Sequence, residues 1–162
     1  MQTIFDAQTE LPPDGRQSEA ALDIARGTTR LFASHGLVLL PEFVLANGRR
    51  ADLIGLAPDG GVTTVEVKSC LADFRSDTKW ADYLAYADRF YFAVNGDFPL
   101  DVLPTNVGIV IADRYGAEIV RESPVAKLPA ARRKALTLSV AQAACRRLMR
   151  LSDPQGPPHA IT

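Results

Sequence analysis

Asp52, in the run Arg49–Leu56, and Glu66 and Lys68, in the run Val62–Lys68, are two acids and a base set among apolar residues at a spacing that suits metal-assisted chemistry. Between the runs lies Ala57-Pro58-Asp59-Gly60-Gly61, the composition of a hairpin connection. The runs are therefore expected to be antiparallel strands. With a five-residue loop centred on Asp59, Leu56 faces Val62 and Asp52 falls opposite Glu66, their Cβ atoms roughly 4.5 to 5.5 Å apart. Alternation then sets Lys68 further along the face of Glu66 and turns Val65 and Val67 into the core.

Like charges opposed within apolar strands are destabilising, so a cation is expected between the two acids. Mg²⁺ takes oxygen ligands, uses one or two carboxylates and leaves positions for water and phosphate. Asp52, Glu66 and the main-chain carbonyl of Val67 would make such an open site for Mg²⁺ or Mn²⁺. Lys68 beside it would orient or deprotonate a water, or stabilise charge building on a phosphate. The chemistry implied is phosphodiester hydrolysis. The competing reading is a satisfied ion cluster of Asp52, Glu66 and Lys68 that performs no reaction.

Several neighbours are candidates for the same site. Asn47-Gly48 signals a two-residue turn, which would place Phe43 opposite Asp52 and leave Glu42 off the acidic face; a loop one residue longer would reverse this. Glu42 is thus a further metal-ligand candidate or an edge ion-pair partner. Glu19 lies in the first turn of its helix, where an acid is favoured by the dipole alone. Arg49 and Arg50 are the nearest bases, suited to phosphate or to pairing with an adjacent acid. Downstream, a helix starting at Ser76 or Asp77 would place Trp80, Leu84 and Ala87 on one stripe, with Tyr83 beside it and Lys79 in the sector of Tyr83. Lys79, Trp80 and Tyr83 are candidates for substrate contact, with core packing the alternative for Trp80.

The elements that must position these residues follow from periodicity. Ser18 caps a helix ending at His35-Gly36, and apolar runs at 37–46, 49–56 and 62–68 read as three strands. After the middle helix, Arg89–Val94 is apolar throughout, as in a central strand reached by a helical crossover. Residues 106–112 and 117–121 form a hairpin, and residues 129–151 a helix. This is an α/β sandwich around a mixed sheet. Residues 1–16 read as an irregular arm, 17–151 as the domain, and 152–162 as a loose tail.

The 162 residues, 47% hydrophobic and 23% charged, suit one globular domain. No apolar run approaches the ~20 residues of a membrane span. The acidic N-terminus does not resemble a signal peptide, so the cytoplasm is the expected compartment. Cys70 and Cys145 suggest neither a disulfide framework nor zinc. The net charge is −1, yet residues 123–150 hold seven bases and no acid. That segment is either a phosphate-facing surface or a solvated helix with a basic C-terminal half.

Asp52 followed by Glu66-Val67-Lys68 resembles the signature of the PD-(D/E)xK nuclease superfamily. The runs Asn47-Gly48-Arg49-Arg50-Ala51-Asp52-Leu53 and Ser76-Asp77-Thr78-Lys79-Trp80-Ala81-Asp82-Tyr83 resemble MmcB-type DNA repair proteins, over roughly residues 17 to 150. One departure is Ala51 where the superfamily signature has Pro. The resemblance implies an αβββαβ restriction-endonuclease-like core, with a metal held by Asp52 and Glu66 and assisted by Lys68. It implies an acid from the first helix, here Glu19, as a further ligand candidate, and a base and aromatics from the helix after Lys68, here Lys79, Trp80 and Tyr83, near the site. It also implies DNA as substrate and other repair proteins as partners. A DNA-binding or adaptor module without hydrolysis is the alternative function.

Overall fold

The computed structural model describes residues 18–156. The expected arm at 1–16 and the last part of the tail lie outside the described residues. Helix α1 (Glu19–Ser34) starts where Ser18 accepts a hydrogen bond from the Ala21 N–H, as a cap should. Three antiparallel strands follow: β1 (Val38–Val44), β2 (Arg50–Leu56) and β3 (Val62–Lys68). A short helix α2 (Leu71–Ser76) and a 3-10 turn over Trp80–Tyr86 carry the chain across to β4 (Arg89–Val94), parallel to β3. Strand β5 (Gly108–Ala112) is parallel to β4, β6 (Ala117–Arg121) turns back antiparallel, and α3 (Ala130–Ser152) closes the chain. The six strands lie in sequence order, β1 to β6. Three antiparallel strands, a helical crossover and a parallel strand make the αβββαβ order, in a mixed sheet flanked by helices.

Each face of the sheet has its own cover. Ile24 and Phe32 of α1 pack on Leu53, Val65, Tyr91 and Val110. On the other face Leu136, Val140 and Ala143 of α3 join Phe43, Ile54, Phe90 and Phe92. Burial on both faces explains the unbroken apolar run of β4, buried from Phe90 to Val94. Among the described residues no helix is long and apolar enough to cross a membrane.

Two local readings are corrected. The β1–β2 connection is one residue longer than an Asn-Gly turn: the Leu45 N–H donates to the Arg49 carbonyl, and Gly48 sits at φ +82°. A three-residue loop ending in a left-handed glycine slips the register by one. Pro41 now pairs with Leu53, and Phe43 with Ala51 rather than Asp52. The second correction concerns the helix expected from Ser76 or Asp77. Ser76 instead ends α2, and the stretch from Trp80 winds as a 3-10 turn. Asp77 spends its carboxylate elsewhere, on the Lys68 ammonium and the Lys79 N–H.

Gly27 is needed for a different reason. A Cβ there would stand 2.0 Å from the Asp113 carbonyl oxygen and 2.4 Å from that of Gly116, both backbone atoms of the β5–β6 hairpin. Alanine is ordinarily the better helix former. Gly27→Ala is nonetheless expected to cost about 2 kcal/mol or more, because helix and hairpin must move apart. A urea titration showing a lower midpoint with unchanged slope checks this.

Candidate active site

The β2–β3 ladder runs from Leu56–Val62 to Leu53–Val65, the register expected from the loop composition. Beyond it, side chains bridge the two strands. The Asp52 N–H donates to Glu66 Oε1 at 3.1 Å, and the Val67 N–H donates to Asp52 Oδ2 at 2.7 Å. Each acid thus satisfies a main-chain donor of the opposite strand, which is why two acids can occupy this place in the sheet. Glu66 is buried and Asp52 partly so.

Burial raises both carboxyl groups. Asp52 is pushed up to about 6, chiefly by desolvation and secondarily by the charge of Glu42, against the Val67 hydrogen bond and the charges of Lys68 and Arg50. Glu66 is held well above the usual carboxylate range by desolvation and then by the charge of Asp52. A cation between them would relieve both effects.

Lys68, also buried, does not take that place. Its Nζ lies 2.7 Å from Asp77 Oδ2, while its charge still draws both Asp52 and Glu66 downward. Asp77 was read from sequence only as a helix cap. The signal for its role was available: an ammonium buried in a strand requires an anion, and Asp77 follows nine residues later.

The longer β1–β2 loop brings Glu42 toward the site. The pairs Pro41–Leu53 and Phe43–Ala51 bracket Glu42 and Asp52, and the charge of Glu42 raises the Asp52 carboxyl. Glu42 has φ +52°, a rare conformation for a residue with a side chain. Buried Arg147 of α3 anchors this kink by donating to the carbonyl oxygens of Pro41 and of Glu42, the latter at 2.6 Å. Glu42 is 2.7 Å from the Arg50 guanidinium. Glu19 stays outside: its side chain is exposed and its nearest ionic neighbour is Arg114 at 3.7 Å.

The remaining candidates divide. Arg49 pairs with Asp82 at 3.0 Å, and Arg50 with Glu42, so both bases have acidic neighbours. Trp80 packs on Phe90 and Phe92 with ring centroids 5.9 and 5.5 Å away, as a core side chain does. Tyr83 is buried and its hydroxyl donates to the Arg50 carbonyl oxygen at 2.8 Å, pinning the strand two residues before Asp52. Lys79 is exposed at the start of the 3-10 turn.

Three of the seven bases in the C-terminal segment hold the fold together. Arg132 donates to the Ala85 carbonyl and lies over the Tyr86 ring, Arg133 grips Asp88, and Arg147 holds β1. Asp88 also accepts the Val62 and Leu128 N–H groups.

A cleft of about 470 Å³ opens beside Asp52 and Val67, bounded by Ser18, Ala21, Ser69, Cys70 and Asp73. Glu66 is not part of its wall. Among the described residues no group of three or more His, Cys, Asp or Glu side chains forms a metal cage. The donor set fits a cation that uses one or two carboxylates and keeps water in its remaining positions.

No curated protein matches the chain. A protein of unknown function from Silicibacter pomeroyi is 45% identical, with a TM-score of 0.84 over 88% of this chain and 97% of its own. A repair endonuclease from Pyrococcus abyssi is 18% identical, with a TM-score of 0.35 over 53% of this chain and 41% of its own, a likeness too slight to bear on function. The profile of the family described as DNA repair protein MmcB-like matches residues 8–155. The chain belongs to the MmcB-like family of DNA repair proteins.

Proposed function

We propose that the chain is a divalent-metal-dependent endonuclease that hydrolyses phosphodiester bonds of DNA during repair. The observation that carries this is the carboxylate pair Asp52–Glu66 at the end of the β2–β3 ladder, both raised by burial, with Asp52 on the wall of a cleft. Asp52 and Glu66 would hold Mg²⁺ or Mn²⁺, with the Val67 carbonyl as the adjacent main-chain oxygen and Glu42 supplying further negative charge. A bound cation of this kind polarises a phosphoryl oxygen and acidifies a water. Lys68, fixed by Asp77, contributes a positive charge beside the two acids where negative charge builds on the phosphate. Glu42 orients Arg50, and Arg50 and Lys79 present positive charge to the DNA backbone.

Incubation of branched, nicked and plain duplex DNA with the protein in Mg²⁺, Mn²⁺ or chelator tests this directly. Cleavage is expected only with metal, and not by Glu66→Gln. Salt-dependent DNA binding indifferent to chelator, with no cleavage in either metal, would instead describe a non-catalytic module.

Protons must compete with the cation for raised carboxyl groups. Apparent Mn²⁺ affinity is expected to fall about tenfold per pH unit below about pH 6, where Asp52 takes up its proton. Titrations at pH 5, 6, 7 and 8 read this slope.

A further inference from the structure

Helix α3 carries a second apolar face. Its buried line is Leu136, Val140, Ala143 and Arg147. At roughly 100° per residue, the opposite side of the helix presents Leu138, Ala141, Cys145 and Leu148. All four are exposed, the two leucines at 56% and 64%. A helix lying on a sheet needs one apolar stripe, with polar residues opposite it. Between Lys134 and Ser152, which lie on the same line and would face each other across an antiparallel pair, the solvent pole is apolar too, and steps of three, four and three residues are those of a two-helix seam.

We propose that this face docks a second copy of the chain, α3 against α3, antiparallel, as a two-fold dimer. Two features select that occupant. The seam reads the same in both directions about Ala143: Leu138 and Leu148 stand equally far from it, as do Ala141 and Cys145. An antiparallel pair therefore sets leucine against leucine and small residue against small residue, the self-complementarity that an isologous interface requires. The positions flanking the seam carry no charge. They hold Ala135, Gln142 and Met149 on one side and Thr137, Ala144 and Leu151 on the other. Helices that choose a different partner generally mark these positions with charges. Arg133 and Arg147 are turned away to Asp88 and β1, so two copies do not oppose them. A seam of this length buries on the order of 1,000 Å², the low end of specific interfaces. The dimer should therefore be of micromolar strength.

Sedimentation equilibrium of the full chain, from about 1 to about 200 µM, without metal or DNA, tests the proposal at the concentrations where a small interface associates. The parent is expected to pass from monomer to dimer across that range. Leu148→Glu should raise the dissociation constant at least about 100-fold, because each dimer loses two such leucine contacts. Its circular dichroism should be unchanged, since the side chain is exposed. Ala141→Cys provides a second measurement: diamide oxidation should give a covalent dimer through Cys145 of the second copy, abolished by adding Leu148→Glu. A parent that stays monomeric throughout, or a dimer whose dissociation constant Leu148→Glu leaves unmoved, overturns the proposal. Neither readout depends on cleavage, so the dimer stands or falls separately from the nuclease reading.

Discussion

Asp52→Asn is expected to lower metal-dependent DNA cleavage by about 10³-fold or more while making the metal-free protein more stable. The catalytic loss follows from removing one of two carboxylates that hold the cation, with electrostatic catalysis commonly worth that much per group. The stability gain follows from the direction of the Asp52 shift. Its carboxyl is raised from 3.8 to about 6 in the folded protein, so folding favours the protonated form, and ionisation works against the fold. That penalty is absent below pH 3.8, grows through about pH 6, and is full above it. At about 1.4 kcal/mol per unit it reaches at most about 3 kcal/mol. Asparagine keeps an oxygen for the Val67 N–H and removes the charge. Thermal melts in chelator at pH 8 and pH 4 should therefore show Asp52→Asn above the parent at pH 8 and level with it at pH 4. Added Mn²⁺ at pH 8 should raise the parent's melting temperature and leave the variant's unchanged.

The second large effect is structural. Asp88→Ala is expected to destabilise the protein by about 3 to 5 kcal/mol. Asp88 accepts from the Val62 N–H at 2.7 Å, from the Leu128 N–H at 2.8 Å and from both terminal nitrogens of Arg133. Its own N–H donates to the Val62 carbonyl, and its carbonyl accepts from Ala126. One side chain thus ties the start of β3 and the 122–129 segment to α3. Alanine leaves two buried donors and a guanidinium without their acceptor, the costly half of breaking a hydrogen-bonded ion pair. The sign of the pH effect is opposite to that of Asp52. Desolvation opposes the charged form of Asp88, but Arg133 and the two N–H bonds outweigh it and hold the carboxyl at about 2. Its contribution is full above pH 3.8 and lost as pH falls through about 2. Urea unfolding at pH 7 and pH 2 should show a large gap between parent and variant at the first and a much smaller one at the second.

The parts of the site that were legible in the sequence are those set by local geometry. Pro58-Asp59-Gly60-Gly61 fixes a loop, the loop fixes the Leu56–Val62 pairing, and alternation carries that register down to Asp52 and Glu66. The same reasoning failed one hairpin earlier. Asn47-Gly48 suits a two-residue turn, but Ala46 joins the loop, and a slip of one residue is enough to move Glu42. Turn composition alone cannot separate loops that differ by one residue. The long-range arginine contacts were illegible for another reason: Arg133 reaches the Asp88 carboxylate across 45 residues and Arg147 the Glu42 carbonyl oxygen across 105. Nothing in periodicity encodes such partners. The basic segment therefore reads as a phosphate surface until the fold shows that three of its seven bases hold the chain together. Trp80 shows the reverse, since its packing alternative was visible in the apolar stripe it shares with Leu84 and is where the structure places its ring.

The most direct test of the central claim is calorimetric titration of Mn²⁺ at pH 8 into the purified protein and into Glu66→Gln. The parent is expected to bind, and in a companion titration at pH 6 to release protons on binding, visible as a heat that changes with the ionisation enthalpy of the buffer, because the Asp52 carboxyl, raised to about 6, must give up its proton to take the cation. Glu66→Gln should bind at least about 100-fold more weakly. Absence of binding by the parent at millimolar metal, with or without DNA, or equal affinity in the variant, would contradict the assignment of Asp52 and Glu66 as a metal site.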